Sequence, residues 1–311
     1  MRIAILGATS QIAGDFILSC AENSAVELSL FARRLEELRY WQQKNSLQRF
    51  SCQELAKFSP KQYFDVIINF IGVGNPAQAI KIGAAVFELT SQYDTMVLDY
   101  LKIYPHCKYL FLSSGAAYGA VFNKPATADT AAVFALNNMQ SHDYYGIAKF
   151  YAEARHRSLS ENFIVDLRVF SYFSRNLDLT SRFFMADILR CIREDTVLDT
   201  SSENIIRDYL HRDDFHAIIF KILASDQPMN TAFDCYSQAV IDKFAILAAM
   251  EDNFGLRYKL LPTTQGLNAT GMKIHYYSIN HALSDLGYSP QRSSLDCIIT
   301  ESQAILSHSY S

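Results

Sequence analysis

Short aliphatic runs alternate with amphipathic stretches through the first half of the chain. Ile3 to Leu6, Val26 to Phe31, Val66 to Phe70, Tyr109 to Leu112 and Ile164 to Val169 are rich in β-branched and aliphatic residues and read as buried strands. Between them, residues 11–22, 77–102 and 144–160 carry apolar side chains at helical spacing. Strand and helix in repeated alternation predict a parallel sheet covered on both faces, a doubly wound α/β fold. Beyond about residue 172 the pattern becomes mixed. A helix is predicted over Arg182 to Arg193, strand-like pieces around 205–210 and 231–236, and helices near 240–254 and 279–306. The expected organisation is a doubly wound domain over 1–172 and a smaller mixed α/β lobe over 173–311, with segments near 205–240 returning to the first domain.

Composition narrows the classes of function. With 311 residues, half of them hydrophobic and 19% charged, the chain buries a full core. Its formal net charge of −4 speaks against a nucleic-acid binder, which needs clustered cations to displace counterions, so any anionic ligand is met by a local cation. The first strand follows directly on Met1 with no leader-like pattern, and no run of about 18 uncharged apolar residues occurs. The expectation is a cytoplasmic protein that makes no membrane contact. Cys20, Cys52, Cys107, Cys191, Cys235 and Cys297 stand singly, without a CxxC pair or a histidine at ligand spacing. They read as reduced core residues, and no metal is expected.

The first strand runs straight into Gly7-Ala-Thr-Ser-Gln-Ile-Ala-Gly14 and then a helical pattern. This is the setting of a dinucleotide turn: glycine allows the tight bend, small residues admit the pyrophosphate, and the helix N-terminus offers amides to an anion. Ser10 and Ala13 stand where glycines are usual and narrow that approach. The second strand ends Leu30-Phe-Ala-Arg-Arg34, without the carboxylate that would bind a ribose 2′-hydroxyl. Arg33 and Arg34 suit a 2′-phosphate, which favours NADP(H) over NAD(H); two solvated arginines opening a helix are the alternative.

Two further segments carry chemistry. Leu112-Ser-Ser-Gly-Ala-Ala-Tyr-Gly119 follows a buried strand, and Tyr145-Gly-Ile-Ala-Lys149 opens an amphipathic helix. Tyr145 and Lys149 are four apart, so an ammonium can lie near the phenol and lower its pKa. Ser114 can bond the same reacting oxygen, completing a Ser-Tyr-Lys group suited to hydride transfer.

In these segments, in their order, and in Asp65 to Gly72, Arg168 to Phe173, Arg207 to Phe215 and Leu286 to Pro290, the chain resembles the extended short-chain dehydrogenase/reductase family of nucleotide-sugar epimerases, dehydratases and ketoreductases. The resemblance covers nearly the whole chain. It implies a Rossmann fold, with Tyr145 as proton donor or acceptor, Lys149 on the nicotinamide ribose and Ser114 on the reacting oxygen. Gly7, Thr9, Ser10, Gln11, Ile12, Arg33, Arg34, Phe70, Ile71, Gly72 and Phe170 would join Tyr145 and Lys149 around the cofactor. Ala116, Tyr172 and Arg207 would join Ser114 on a nucleotide-diphosphate sugar, Arg207 facing the pyrophosphate. Asp208, His211 and Asp213 would shape a turn. Relatives that dehydrate carry an Asp-Glu pair where this chain has Gly115 and Ala116, which disfavours water loss. The expected activity is NADPH-dependent reduction of a 4-keto-6-deoxy nucleotide sugar, with a 4-epimerase as the alternative and a non-catalytic NADPH-binding protein as the third. Relatives also pair through helices matching 77–102 and 144–160, which implies a homodimer.

Overall fold

The computed structural model of the chain describes residues 1–73, 79, 81–262 and 273–307. Its first part runs β1 (Arg2–Leu6), α1 (Gln11–Ser19), β2 (Glu27–Ala32), α2 (Leu35–Lys44), β3 (Ser51–Glu54), β4 (Val66–Asn69), α3 (Ala85–Ile103), β5 (Lys108–Ser114), α4 (Tyr144–Arg157) and β6 (Ile164–Val169). There follow β7 (Ser171–Tyr172), α5 (Phe184–Arg193), β8 (Val197–Ser201), β9 (Ile206–Arg207), β10 (Tyr209–Leu210), α6 (Arg212–Leu223) and β11 (Asn230–Asp234). The chain ends with β12 (Ile241–Asp242), α7 (Lys243–Phe254), β13 (Arg257–Leu261), β14 (His275–Tyr276) and α8 (Ser294–Ser307).

Seven parallel strands form the central sheet in the order β11-β6-β5-β4-β1-β2-β3. The fold is doubly wound and Rossmann-like. Both sheet faces are covered, as the unbroken apolar runs require: in β1, Ile3 and Ile5 enter one core cluster, and Ala4 and Leu6 enter the other. The winding direction reverses between β1 and β4, the position at which such sheets open a ligand crevice. Short strands outside the sheet form β10-β7, β12-β9-β14 and β13-β8. A third core packs Phe173, which follows β7, with Met185 and Leu189 of α5, Leu247 and Met250 of α7 and Ile298 of α8.

Several element boundaries differ from the expectation. The helix predicted over 279–306 is a short turn at Ala282–Leu286 followed by α8, because Gly287 takes a left-handed φ of 74° and Pro290 bars continuation. The helix near 240–254 starts only at Lys243, where the Asp242 carboxylate accepts the amides of Phe244 and Ala245 at 2.9 and 3.1 Å. The helix expected from 77 is α3 from Ala85, its first expected positions 77, 78 and 80 lying outside the described residues. Helices α2 and α6 and strands β3, β8 and β13 were not expected, their apolar positions being too few or too even to carry a period. No helix among the described residues is long and apolar enough to cross a membrane.

Candidate active site

At the end of β1 the chain turns sharply toward α1. Gly7 has a φ of 77°, and a Cβ there would stand 3.0 Å from Ile71, so glycine is required both by conformation and by space. The amides of Gly7 and Ala8 donate to the Phe31 carbonyl at 3.0 and 3.1 Å, tying the turn to β2. Ser10 is the N-cap of α1, its Oγ accepting from the Ala13 amide at 3.3 Å, so the serine that replaces a glycine satisfies a helix-end donor itself. Thr9 is exposed, Gln11 donates to Ser174 Oγ at 3.0 Å, and Ile12 packs at the margin of the core. The glycine turn and the opening of α1 fit a dinucleotide phosphate.

The neighbouring residues divide. Phe70 is core, its ring 6.1 Å from that of Phe16, and the Ile71 amide donates to Asn69 Oδ1 at 2.9 Å. Gly72 lies against Lys149, whose Nζ would be 3.4 Å from a Cβ there. At the end of β2, Arg34 pairs with Glu37 on the surface at 2.9 Å, as a solvated helix opening would. Arg33 is exposed and borders a cavity of about 300 Å³ with Glu54, Gln92 and Tyr93.

The centre of the site forms where β5 ends against the first turns of α4. Lys149 is buried and donates from Nζ to the Leu112 carbonyl at 2.7 Å, 4.3 Å from the Phe111 ring centroid and 5.8 Å from that of Tyr145. Burial brings its pKa down to about 8, against the opposing pull of Asp166, Glu153 and Asp94. Ser114, the last residue of β5, accepts the Ala116 amide at 3.2 Å and faces the Tyr145 hydroxyl. Burial, reinforced by Tyr276, pushes Tyr145 well above the ordinary phenol range, while Ser114 restrains it. Ser114, Tyr145 and Lys149 are thus brought together.

One helical turn past Lys149, Glu153 continues the same face of α4. It accepts from Ser113 Oγ at 2.5 Å and from Arg168 at 3.0 Å, and Arg168 in turn donates to the Tyr118 hydroxyl at 2.6 Å. The i, i+4, i+8 spacing of Tyr145, Lys149 and Glu153 was visible in the sequence, but Arg168, its main partner, is not local. Phe170 covers Gly115 so closely that any side chain at 115 would overlap its ring. Tyr172 is not brought to this group: its hydroxyl donates to Asp15 Oδ2 on α1 at 2.9 Å.

A second feature faces Ser114 from the β9 and β14 strands. Arg207 donates to the carbonyls of Ile206 and Lys273 at 2.8 and 2.7 Å and has no carboxylate partner among the described residues. Its guanidinium lies 5.8 Å from the Tyr276 ring centroid and Lys273 Nζ lies 4.4 Å from it. Burial, followed by Arg207, brings the Lys273 pKa down to about 8, Asp143 opposing. Two half-buried cations that form no ion pair among the described residues suit an anionic ligand. Lys273 and Tyr276 escaped the sequence analysis because 262–277 carries no period; residues 263–272 of that stretch lie outside the described residues. Asp208 and His211 serve structure, Asp208 accepting the Ser237 amide at 3.0 Å and His211 capping α6 through the Asp213 amide at 3.1 Å.

A glycine turn at the switch point of a doubly wound sheet, with serine, tyrosine and lysine converging beyond β5, defines the extended short-chain dehydrogenase/reductase class. The model of the NAD dependent epimerase/dehydratase family matches residues 3–234, and the chain belongs to that family. Among solved structures, it is similar to UDP-glucuronic acid 4-epimerase from Bacillus cereus, at 16% identity and a TM-score of 0.78, covering 99% of this chain and 100% of that one. UDP-glucose 4-epimerase from Thermotoga maritima is similar at 14% identity and a TM-score of 0.79, with all of both chains covered. So is dTDP-glucose 4,6-dehydratase from Bacillus anthracis, at 13% and 0.79, covering 100% of this chain and 98% of that one. Among curated proteins no sequence match is significant.

Proposed function

We propose that the protein is a nucleotide-sugar 4-epimerase that oxidises and re-reduces one ring carbon of a nucleotide-diphosphate sugar. The observation that carries this reading is the convergence of Ser114, Tyr145 and Lys149 with Arg207 and Lys273, cations that form no ion pair among the described residues. A nicotinamide dinucleotide, held by the Gly7 turn, the first amides of α1 and Lys149, would take up and return a hydride at that carbon. Tyr145 would take the hydroxyl proton as a phenolate while the hydride leaves and return it when the hydride comes back, and Ser114 would donate a hydrogen bond to the same oxygen. This requires the charge of the bound cofactor to bring the phenol down from the raised pKa that burial gives it. Arg207 and Lys273 hold the diphosphate and so fix which carbon reaches Tyr145. The similar solved structures include 4-epimerases in complex with UDP-sugars and NAD, which supports the choice of substrate class. Dehydration is disfavoured because Gly115 and Ala116 supply neither acid nor base where dehydrating relatives carry an Asp-Glu pair, and Phe170 packs on the Gly115 position.

A second reading, net reduction of a 4-keto-6-deoxy nucleotide sugar by NADPH, is favoured by one specific feature. Ala32 ends β2 where a carboxylate would select NAD(H), and Arg33 stands exposed beside it. Incubation with UDP-glucose, UDP-glucuronic acid and UDP-N-acetylglucosamine, and with 4-keto-6-deoxy nucleotide sugars plus NADPH, separates the two. An epimerase interconverts a 4-hydroxy sugar with no net change in nicotinamide absorbance, whereas a reductase consumes one NADPH for each product. Stoichiometric NADPH loss on the keto sugars, with no epimerisation, would replace the first reading by the second. The chain would work as a homodimer through α3 and α4, where Phe87, Ile147 and Tyr151 line an apolar groove and Phe150 is also exposed.

A further inference from the structure

Ser114 has three hydrogen-bonding sites, one proton to give and two lone pairs to fill. The Ala116 amide occupies one lone pair at 3.2 Å. The Tyr276 hydroxyl, from β14, lies 3.1 Å from the same oxygen. This phenol belongs to the lobe opposite Ser114, and nothing in the reaction described above uses it.

We infer that Tyr276 is a positioning residue that fills the second lone pair of Ser114 and thereby aims the serine proton at the reacting oxygen. With Ala116 N–H and Tyr276 O–H both donating to Ser114 Oγ, the serine proton can only point away from them, toward the side on which Tyr145 stands. Without the phenol, Ser114 rotates freely and can spend its proton on solvent. Tyr276 is held for this task. Its ring packs edge-on against Phe122 at 4.9 Å and Phe170 at 5.2 Å, and only 9% of the residue is exposed. Its face lies beneath Arg207 and Lys273, so the hydroxyl that orients the serine and the cations that would take the diphosphate share one support. Burial keeps the phenol protonated, and therefore able to donate, through the neutral range.

The inference rests on the proposed role of Ser114 and Tyr145 at a sugar oxygen, and the test separates the two. Turnover of whichever nucleotide sugar of the panel above is converted is measured for the wild type, Tyr145→Phe, Ser114→Ala, Tyr276→Phe and the Ser114→Ala/Tyr276→Phe double variant. Tyr276→Phe keeps the ring and its packing, so the fold is retained. Its kcat should fall by about tenfold or more with KM within about twofold of wild type, because only the transition state needs the aimed proton. In the Ser114→Ala background the same change should cost far less, since the orienting effect passes through the serine and only the direct influence of Tyr276 on Tyr145 remains. Wild-type kcat in Tyr276→Phe, or an undiminished loss in the Ser114→Ala background, overturns the inference while impaired Tyr145→Phe and Ser114→Ala leave the proposed site standing. If Tyr145→Phe turns over at the wild-type rate, or the wild type converts no nucleotide sugar, both fall.

Discussion

Lys149, in the role proposed for it, would set the pH range in which the site can work. Its ammonium is buried with a pKa brought down to about 8, so it is charged at neutral pH and loses its charge as pH rises through that value. If the charge is what steadies the Tyr145 oxygen and the cofactor ribose, kcat/KM should be level near neutrality and fall by about one decade per pH unit above about pH 8. A profile flat to high pH would remove Lys149's charge from the mechanism. Arg33 and Arg34 are separable in the same way. Arg34 already pairs with Glu37 at the surface, an interaction worth little, whereas Arg33 forms no ion pair among the described residues. Arg33→Ala should therefore weaken NADPH binding by about tenfold or more and leave NADH unchanged, with Arg34→Ala milder, as titration of cofactor fluorescence would reveal. Equal losses for both cofactors would take the 2′-phosphate away from Arg33.

The pairing of α3 with α4 and β6 depends on one buried ionic group. His156 on α4 is fully enclosed, with Nε2 2.7 Å from Asp94 Oδ1 of α3 and Nδ1 2.6 Å from Asp166 Oδ1 of β6. Arg155 donates to Asp94 at 2.9 Å, and Arg157 pairs with Asp166. Against the cost of burial, Asp166 and then Asp94 raise the His156 pKa from 6.5 to about 9. A pKa raised on folding stabilises fully below the unfolded value and fades as pH climbs through the folded one. Stability should thus decline between about pH 6.5 and pH 8, by about 2 kcal/mol, in chemical denaturation followed across that range, while above about pH 8 the lowered pKa values of Lys149 and Lys273 oppose the His156 effect. His156→Gln should abolish this slope and cost about 3 kcal/mol or more at neutral pH, because two buried carboxylates lose the proton between them. An unchanged slope in that variant would place the pH dependence elsewhere.

At the scale of the whole molecule, the exposed groove between α3 and α4 is the face proposed to meet a second copy. Tyr151→Arg, at a residue half exposed in the single chain, should leave secondary structure intact and shift sedimentation from dimer to monomer. A monomeric wild type would end that reading. What was legible in the sequence was what nearest neighbours and short periods dictate. β1, β2, β4, β5 and β6 are visible because a strand buried on both faces must be continuously apolar. The Gly7 turn is visible because φ of 77° excludes other residues, and Tyr145 and Lys149 because four residues make one turn of helix. The membership of Tyr276 and Lys273 in the site was decided by tertiary structure, since β14 joins β9 through a pairing that spans about seventy residues and leaves no local pattern. Partnerships were decided there too. Whether Tyr172 meets a sugar or Asp15, and which carboxylates hold His156, depend on side chains that come near only after the sheet is wound. The chain's own order fixes which groups can titrate or donate, and tertiary packing fixes which of them find one another, because hydrogen bonds and charges act over a few ångströms in space.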